Sequence, residues 1–255
     1  MADSIVYELP LNERVRTILR LDFLARQFEH FSKGNSVWDS RAAVESLLDA
    51  TVLVERADLR SELIKELERQ LAILAPLEQS PGVDVARLRE ILDEFDLALD
   101  RLKARNGPVA PCLRTDQLLV DVQNRIGLPG GTCDFDLPYY HAWLERTPDA
   151  RKQDLLRWAE ELKPVWDTTE LLLHIIRGTG IAESRTGEKG VFQINFSPEQ
   201  SCQLVRVILP LEVSYYPEMS GDRHRVTIRF IAAQPEGRPI QVNEDIPFRL
   251  IRCIL

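Results

Sequence analysis

Three arginines recur at alternate positions in the run DRHRVTIRFI: Arg223, Arg225 and Arg229, with Thr227 in the remaining place. In an extended strand that spacing puts all four on one face and Val226, Ile228 and Phe230 on the other. Like charges crowded on one strand repel unless an anion lies across them, and a guanidinium is well suited to gripping a carboxylate through two parallel hydrogen bonds. A solvated outer face is the competing reading, since antiparallel sheets commonly keep one wet side. Arg16 and Arg20 pose the same question in ERVRTILR. A spacing of four makes them neighbours on a helix, where like charges cost about 0.2–0.5 kcal/mol, and Glu13 at i−3 from Arg16 offsets part of that. Together the two clusters predict an anion-binding groove where the first helix meets a sheet.

Reaction chemistry has less to stand on. The chain contains no GxGxxG, no GxxxxGK[ST] and no HExxH, and GLPGGT lacks the lysine that a phosphate loop needs. Its four histidines, His30, His141, His174 and His224, are dispersed, and His174 inside LLLHII reads as a core histidine. Cys133, Asp136 and His141 lack paired-ligand spacing for a metal. A hydrolase built on His141 with Asp134 or Asp136 is the remaining catalytic option. The reading therefore assigns no catalytic residue, no metal and no cofactor.

The 255 residues carry 32 Lys and Arg against 40 Asp and Glu, a net charge of −8, with 44% hydrophobic residues. That composition belongs to globular chains of one or two domains. Residues 186–255 balance eight basic against eight acidic residues, so the whole excess of acid lies in residues 1–185, where 24 basic face 32 acidic. An acidic chain disfavours non-specific nucleic-acid binding, although a local arginine patch keeps a nucleic-acid or phosphate-binding module as the alternative function. The N-terminus has no apolar signal-peptide core and the longest apolar run is too short to span a bilayer, which predicts a cytoplasmic protein with no membrane partner. Cys112, Cys133, Cys202 and Cys253 form no CxxC pair and read as reduced, small apolar side chains.

The elements that must position the arginines can be read from periodicity. SIVYEL at 4–9 alternates as a short strand closed by Pro10. Asn12 caps a helix to about Phe31. Ser40 and Asp58 cap a second and a third helix, and Asp84 a fourth that NGP at 106–108 stops. The third and fourth form an antiparallel hairpin. Thr115 caps a short helix, a turn-rich stretch follows to Pro138, and helices resume at PYYHAWLER, at Thr147-Pro148 and after Pro164. Residues 179–190, TGIAESRTGEKG, read as a flexible connection. Beyond it GVFQINF, CQLVRVIL, EVSYY, RHRVTIRFI and PFRLIRCIL are short β-prone runs between turns. The fold class is thus α+β: a mainly helical domain over 1–178, then an antiparallel β-domain over 179–255 that the strand at 4–9 is placed to join.

Several stretches in this order and spacing resemble the ZapD family of bacterial cell-division proteins: YELPLNERVRTILRLDFL, IKELERQ, IGLPGGTCDFDLPYYHAWL and YPEMSGDRHRVTIRF. The resemblance runs from near the N-terminus to about residue 230. It implies a non-enzymatic, cytoplasmic homodimer recruited to the division site at midcell. Such proteins bind the C-terminal tail of FtsZ, the tubulin-like division GTPase, bundle its filaments and stabilise the ring, which indirectly lowers GTP turnover. On the shared motifs Arg16, Arg20, Arg114 in CLRTDQLL, His141, Arg223, Arg225 and Arg229 become the candidate partner-binding residues. The C-terminal PEGRPIQVNEDIPFRLIRCIL departs from the pattern, so the resemblance assigns no role to the last strand, Arg249 or Arg252.

Overall fold

The computed structural model describes residues 4–56, 58–104, 109–197, 201–232, 234 and 237–254. The chain forms two compact units, one from Met1–Leu19 with Leu173–Leu255 and the other from Arg20–Leu172.

The first unit is a pair of antiparallel sheets with helix segments on one side. Strand β1 (Ser4–Pro10) pairs with β4 (Cys202–Pro210), which pairs with β8 (Ile246–Ile254), which pairs with β2 (Ala182–Gly187). The expected N-terminal strand therefore joins the C-terminal sheet. In the second sheet, β6 (Arg225–Ala232) lies between β3 (Val191–Asn195) and β5 (Tyr215–Gly221), and the two-residue β7 (Ile240–Gln241) also pairs with β6.

Alternation decides what each face touches. Val205, Val207, Leu209, Phe248 and Leu250 of the first sheet pack against Val226, Ile228 and Phe230 of the second. The opposite face of the first sheet, with Leu204, Ile251 and Cys253, packs on Val15 of α1 (Glu13–Ser32) and Ile176 of α9 (Lys163–Gly178). Helix α1 begins at the expected cap, where Asn12 Oδ1 accepts the amide of Val15 at 2.9 Å.

Two expectations for this unit change. Residues 182–187 are an edge strand paired with β8 rather than a flexible connection, because Ala182 to Gly187 meet Ile251 to Ile246 in register. The strand expected at EVSYY sits later, over Tyr215–Gly221, where its partner β6 fixes the register. Pro217 is tolerated there because β5 is an edge.

The second unit holds the larger parts of α1 and α9 together with α2 (Val37–Arg56), α3 (Leu59–Leu74), α4 (Val85–Lys103), α5 (Pro111–Thr115), α6 (Gln117–Arg125), α7 (Pro138–Leu144) and α8 (Pro148–Ala159). α3 and α4 form the expected antiparallel hairpin, with an ion pair from Lys103 to Glu68 of α3 at 2.8 Å and one from Arg89 to Glu78, in the 3-10 turn Ala75–Gln79 that follows α3, at 3.0 Å. Asp84 caps α4 and Thr147 caps α8 as read from the sequence.

Other caps differ. α2 starts before Ser40, because Ser36 and Asp39 cap it reciprocally through Asp39 N to Ser36 Oγ and Ser36 N to Asp39 Oδ2. Asp58, at φ 41, makes no side-chain cap bond. Asp116 rather than Thr115 caps α6, accepting the amides of Leu118 and Leu119. The stop expected at 106–108 lies outside the described residues. His174 is exposed rather than in the core, because α9 turns Leu172, Leu173 and Ile176 inward instead.

Candidate functional site

The outer face of the second sheet is where the alternation in the sequence becomes geometry. Register sets adjacent rows across β3, β6 and β5: Asn195 beside Arg225, then Gln193, Thr227 and Ser220, then Val191, Arg229 and Glu218. Residues directly opposite across antiparallel strands share a face. Gln193 Nε2 donates to Thr227 Oγ1 at 3.2 Å. Arg229 Nη2 stands 3.8 Å from Glu218 Oε2, with both side chains about half exposed. Arg225 is exposed and forms no ion pair among the described residues.

Arg223 leaves this face. β6 begins only at Arg225, and the preceding residues form the hairpin turn in which Asp222 Oδ1 accepts the amides of His224 and Arg225 at 2.8 and 3.2 Å. Those amide bonds hold the Asp222 carboxyl below its usual range. Arg223 Nε donates to His224 Nε2 at 3.1 Å from the exposed turn. The alternation in DRHRVTIRFI therefore stops one residue short of Arg223's reach, because a carboxylate-capped turn replaces two residues of strand.

Arg16 belongs elsewhere on the same unit. Its Nε donates to Glu13 Oε1 at 3.1 Å, and it follows Val15, which packs α1 on the far face of the first sheet. The strand that the N-terminus contributes is in that first sheet, whereas Arg225 and Arg229 are in the second. The groove expected between helix and arginine strand is thus two separate arginine surfaces with both sheets between them. Arg20, one turn after Arg16, is the first residue of the second unit, is exposed and makes no ion pair among the described residues.

The other candidates lie in the helical unit. Arg114 Nε reaches Glu55 Oε1 of α2 at 2.5 Å, and this bond raises the Arg114 pKa above its ordinary value. The pair edges a cavity of about 210 Å³ floored by Leu48, Val52, Leu113 and Leu119. His141 is exposed on α7, whose buried side carries Tyr140, Trp143 and Leu144. Cys133 Sγ donates to Asp136 Oδ2 at 3.4 Å and Arg125 approaches the same carboxylate at 3.5 Å, so Asp136 is engaged in holding its loop. No group of three potential metal ligands occurs among the described residues.

Sequence reasoning missed two surfaces. Glu218 was legible only once β5 was placed correctly, since Tyr216, Glu218 and Ser220 alternate onto the arginine face. Trp38, Phe135 and Tyr139 are exposed by 63% or more. Nearby, the Arg41 guanidinium stacks 5.6 Å over Trp38 and 5.1 Å over Tyr140 while donating to Thr132. Phe135 lies in a turn and Trp38 and Tyr139 in the first turns of α2 and α7, where a single apolar residue carries no periodic signal, so nothing in the sequence marked them.

Fold and surfaces define a two-unit α+β protein, an arginine-faced β-sandwich with a helical unit carrying a two-helix hairpin. A family model described as ZapD, a cell division protein, matches residues 19–229. Curated relatives named cell division protein ZapD are 40% identical in Methylococcus capsulatus over the full length of both chains, and 37% identical in Chromobacterium violaceum over 98% of this chain and 99% of the relative. A third, from Nitrosomonas eutropha, is 36% identical over 98% of this chain and all of its own. The chain belongs to the ZapD family of cell division proteins. No helix among the described residues is long and apolar enough to cross a membrane.

Proposed function

We propose that the chain is a non-enzymatic, cytoplasmic adaptor of the division ring at midcell. In this reading it binds the acidic C-terminal tail of FtsZ and, as a homodimer, cross-links FtsZ filaments into bundles and so lowers GTP turnover indirectly. The observation that carries the reading is the row of Arg225 and Arg229 on the outer face of β6, flanked in register by uncharged side chains and a single acid. Two cations about 13 Å apart along a strand suit an extended peptide with spaced carboxylates, at about 3.3 Å per residue over four residues. Family membership supports a division role, and a flexible acidic tail is a partner that such a surface can order on binding. Arg16, Arg20, Arg114 and His141 supply further contacts in this reading, with Arg223 at the edge of the strand surface. Two copies per dimer make weak tail binding bivalent, which is enough to hold filaments together.

The test is a titration of the purified protein with a synthetic FtsZ tail peptide at low and high salt, beside an Arg225→Glu, Arg229→Glu variant checked for its folded state. Saturable binding that weakens with salt and falls at least tenfold in the variant is expected. Unchanged binding and unchanged co-sedimentation with filaments in the variant would remove the strand face from the site.

A further inference from the structure

The arginine face carries its own carboxylate. Among the residues of β3 and β5 that stand in register with Arg225, Thr227 and Arg229, Glu218 is the single acid. It stands directly opposite Arg229 in register, and its Oε2 lies 3.8 Å from Arg229 Nη2. Arg225, two pairs along the same strand, has Asn195 as its cross-strand neighbour on β3; the Asp222 carboxylate in the adjoining turn is held by the amides of His224 and Arg225 and lends the guanidinium its field without an ion pair among the described residues. The two arginines are therefore unequal: the guanidinium of Arg225 feels only the field of a turn carboxylate already bound to backbone amides, whereas that of Arg229 is in contact with an acid side chain across the strand pair.

We propose that Glu218 is an internal competitor for the incoming acidic segment, occupying Arg229 in the free protein where a carboxylate of the ligand sits in the complex. The proposal rests on the strand-face binding reading above and adds to it the residue that sets its affinity. An open cation makes first contact at Arg225. Full engagement requires Glu218 to swing away from Arg229, which its half-exposed side chain permits without disturbing the β5–β6 ladder. A ligand placing a neutral side chain opposite Arg229 leaves the internal pair intact and gains nothing there. Glu218 thus raises the requirement for an acid at that position and selects against neutral tails. The 3.8 Å separation and the exposure make the internal pair weak, as an exchangeable lock must be.

The experiment is a double-mutant cycle on the full-length protein with the FtsZ tail peptide as probe: wild type, Glu218→Gln, Arg229→Gln and the double variant, with Arg225→Gln, Arg229→Gln as the check on the underlying reading. Glu218→Gln is expected to tighten binding about two- to fivefold, the scale of an exposed ion pair. The gain should vanish in the Arg229→Gln background. An equal gain with and without Arg229 would mean that Glu218 acts only through the general field and would overturn the competition. No gain in Glu218→Gln, with Arg229→Gln still weakening binding, would overturn it while leaving the strand-face reading in place. Full-strength binding by Arg225→Gln, Arg229→Gln would overturn both.

Discussion

Arg151 shows how one residue can organise a neighbourhood without doing chemistry. It is 4% exposed, and its guanidinium donates to Ser40 Oγ at 2.9 Å, to the Leu144 carbonyl at 2.8 Å, to the Asn35 carbonyl at 2.7 Å and to the Arg146 carbonyl. A buried guanidinium bonded to four neutral acceptors offsets its desolvation by hydrogen bonds, and removing it strips a donor from the buried Ser40 hydroxyl and the Leu144 carbonyl. Arg151→Met should lower stability by about 3 kcal/mol, read as a shift of the urea midpoint at unchanged slope. Lysine should rescue little, because one ammonium cannot serve four separated acceptors. The cysteines make a second residue-scale case. Burial pushes the Cys202 and Cys253 thiols up to about 11, whereas Cys112 is exposed. A maleimide pulse at neutral pH should label Cys112 in the native protein and Cys202 and Cys253 only after denaturation, as read by peptide mass. Native labelling of Cys253 would contradict its burial on the face of β8 that meets the helix segments.

At the scale of elements, β1 is held to its sheet by charge as well as by the ladder. Glu8 faces Arg206 across the β1–β4 register, and Arg177 from α9 donates to both Glu8 oxygens at 3.0 and 2.8 Å. Arg206 Nε lies 2.9 Å from Glu8 Oε1 but off the N–H direction, so it acts as an ion pair more than as a directed bond. Burial alone would raise the Glu8 pKa. The hydrogen bonds and charge of Arg177, with the charge of Arg206, outweigh it and hold the carboxyl below its ordinary 4.5. A lowered carboxylate value contributes stability that is complete above about 4.5 and is lost as pH falls through the lower folded value. Glu8→Gln should therefore cost about 1–2 kcal/mol at neutral pH, and the gap between variant and wild type should close on acidification through that window, measured by urea unfolding at each pH. A gap that widened with acid would reverse the assignment.

For the whole molecule, the α3–α4 hairpin is the element with apolar surface to spare. Ile73 and Leu77 near its tip are 39% and 38% exposed and Leu97 is 51% exposed, while Leu63, Leu67, Phe95 and Leu102 fill its base. Two helices alone cannot cover both of their stripes, which makes this arm the natural surface for the proposed dimer. An Ile64→Glu, Ile73→Glu variant should sediment as a monomer, keep its affinity for the tail peptide and lose filament bundling. A variant that stayed dimeric in the ultracentrifuge would place the contact elsewhere. Peptide binding without bundling is the outcome that separates bivalence from tail recognition.

What the sequence determined by itself is what short-range chemistry controls. Helical periodicity located α1, α3, α4, α8 and α9, side-chain caps at Asn12, Asp84 and Thr147 fixed the starts of α1, α4 and α8, and β-branched alternation marked β4, β6 and β8 together with the outward aim of Arg225 and Arg229. The polar, glycine-bearing AESRTG has no apolar alternation, and its strand exists only because β8 offers a free edge. The last strand, silent in its motifs, became central between β4 and β2 for the same non-local reason. Which arginines share a surface was likewise a tertiary decision. Sequence can say that Arg16 and Arg225 each point away from a core, but only the stacking of one sheet on the other separates them, because hydrophobic faces must meet in pairs and the pairing is chosen across almost the full length of the chain.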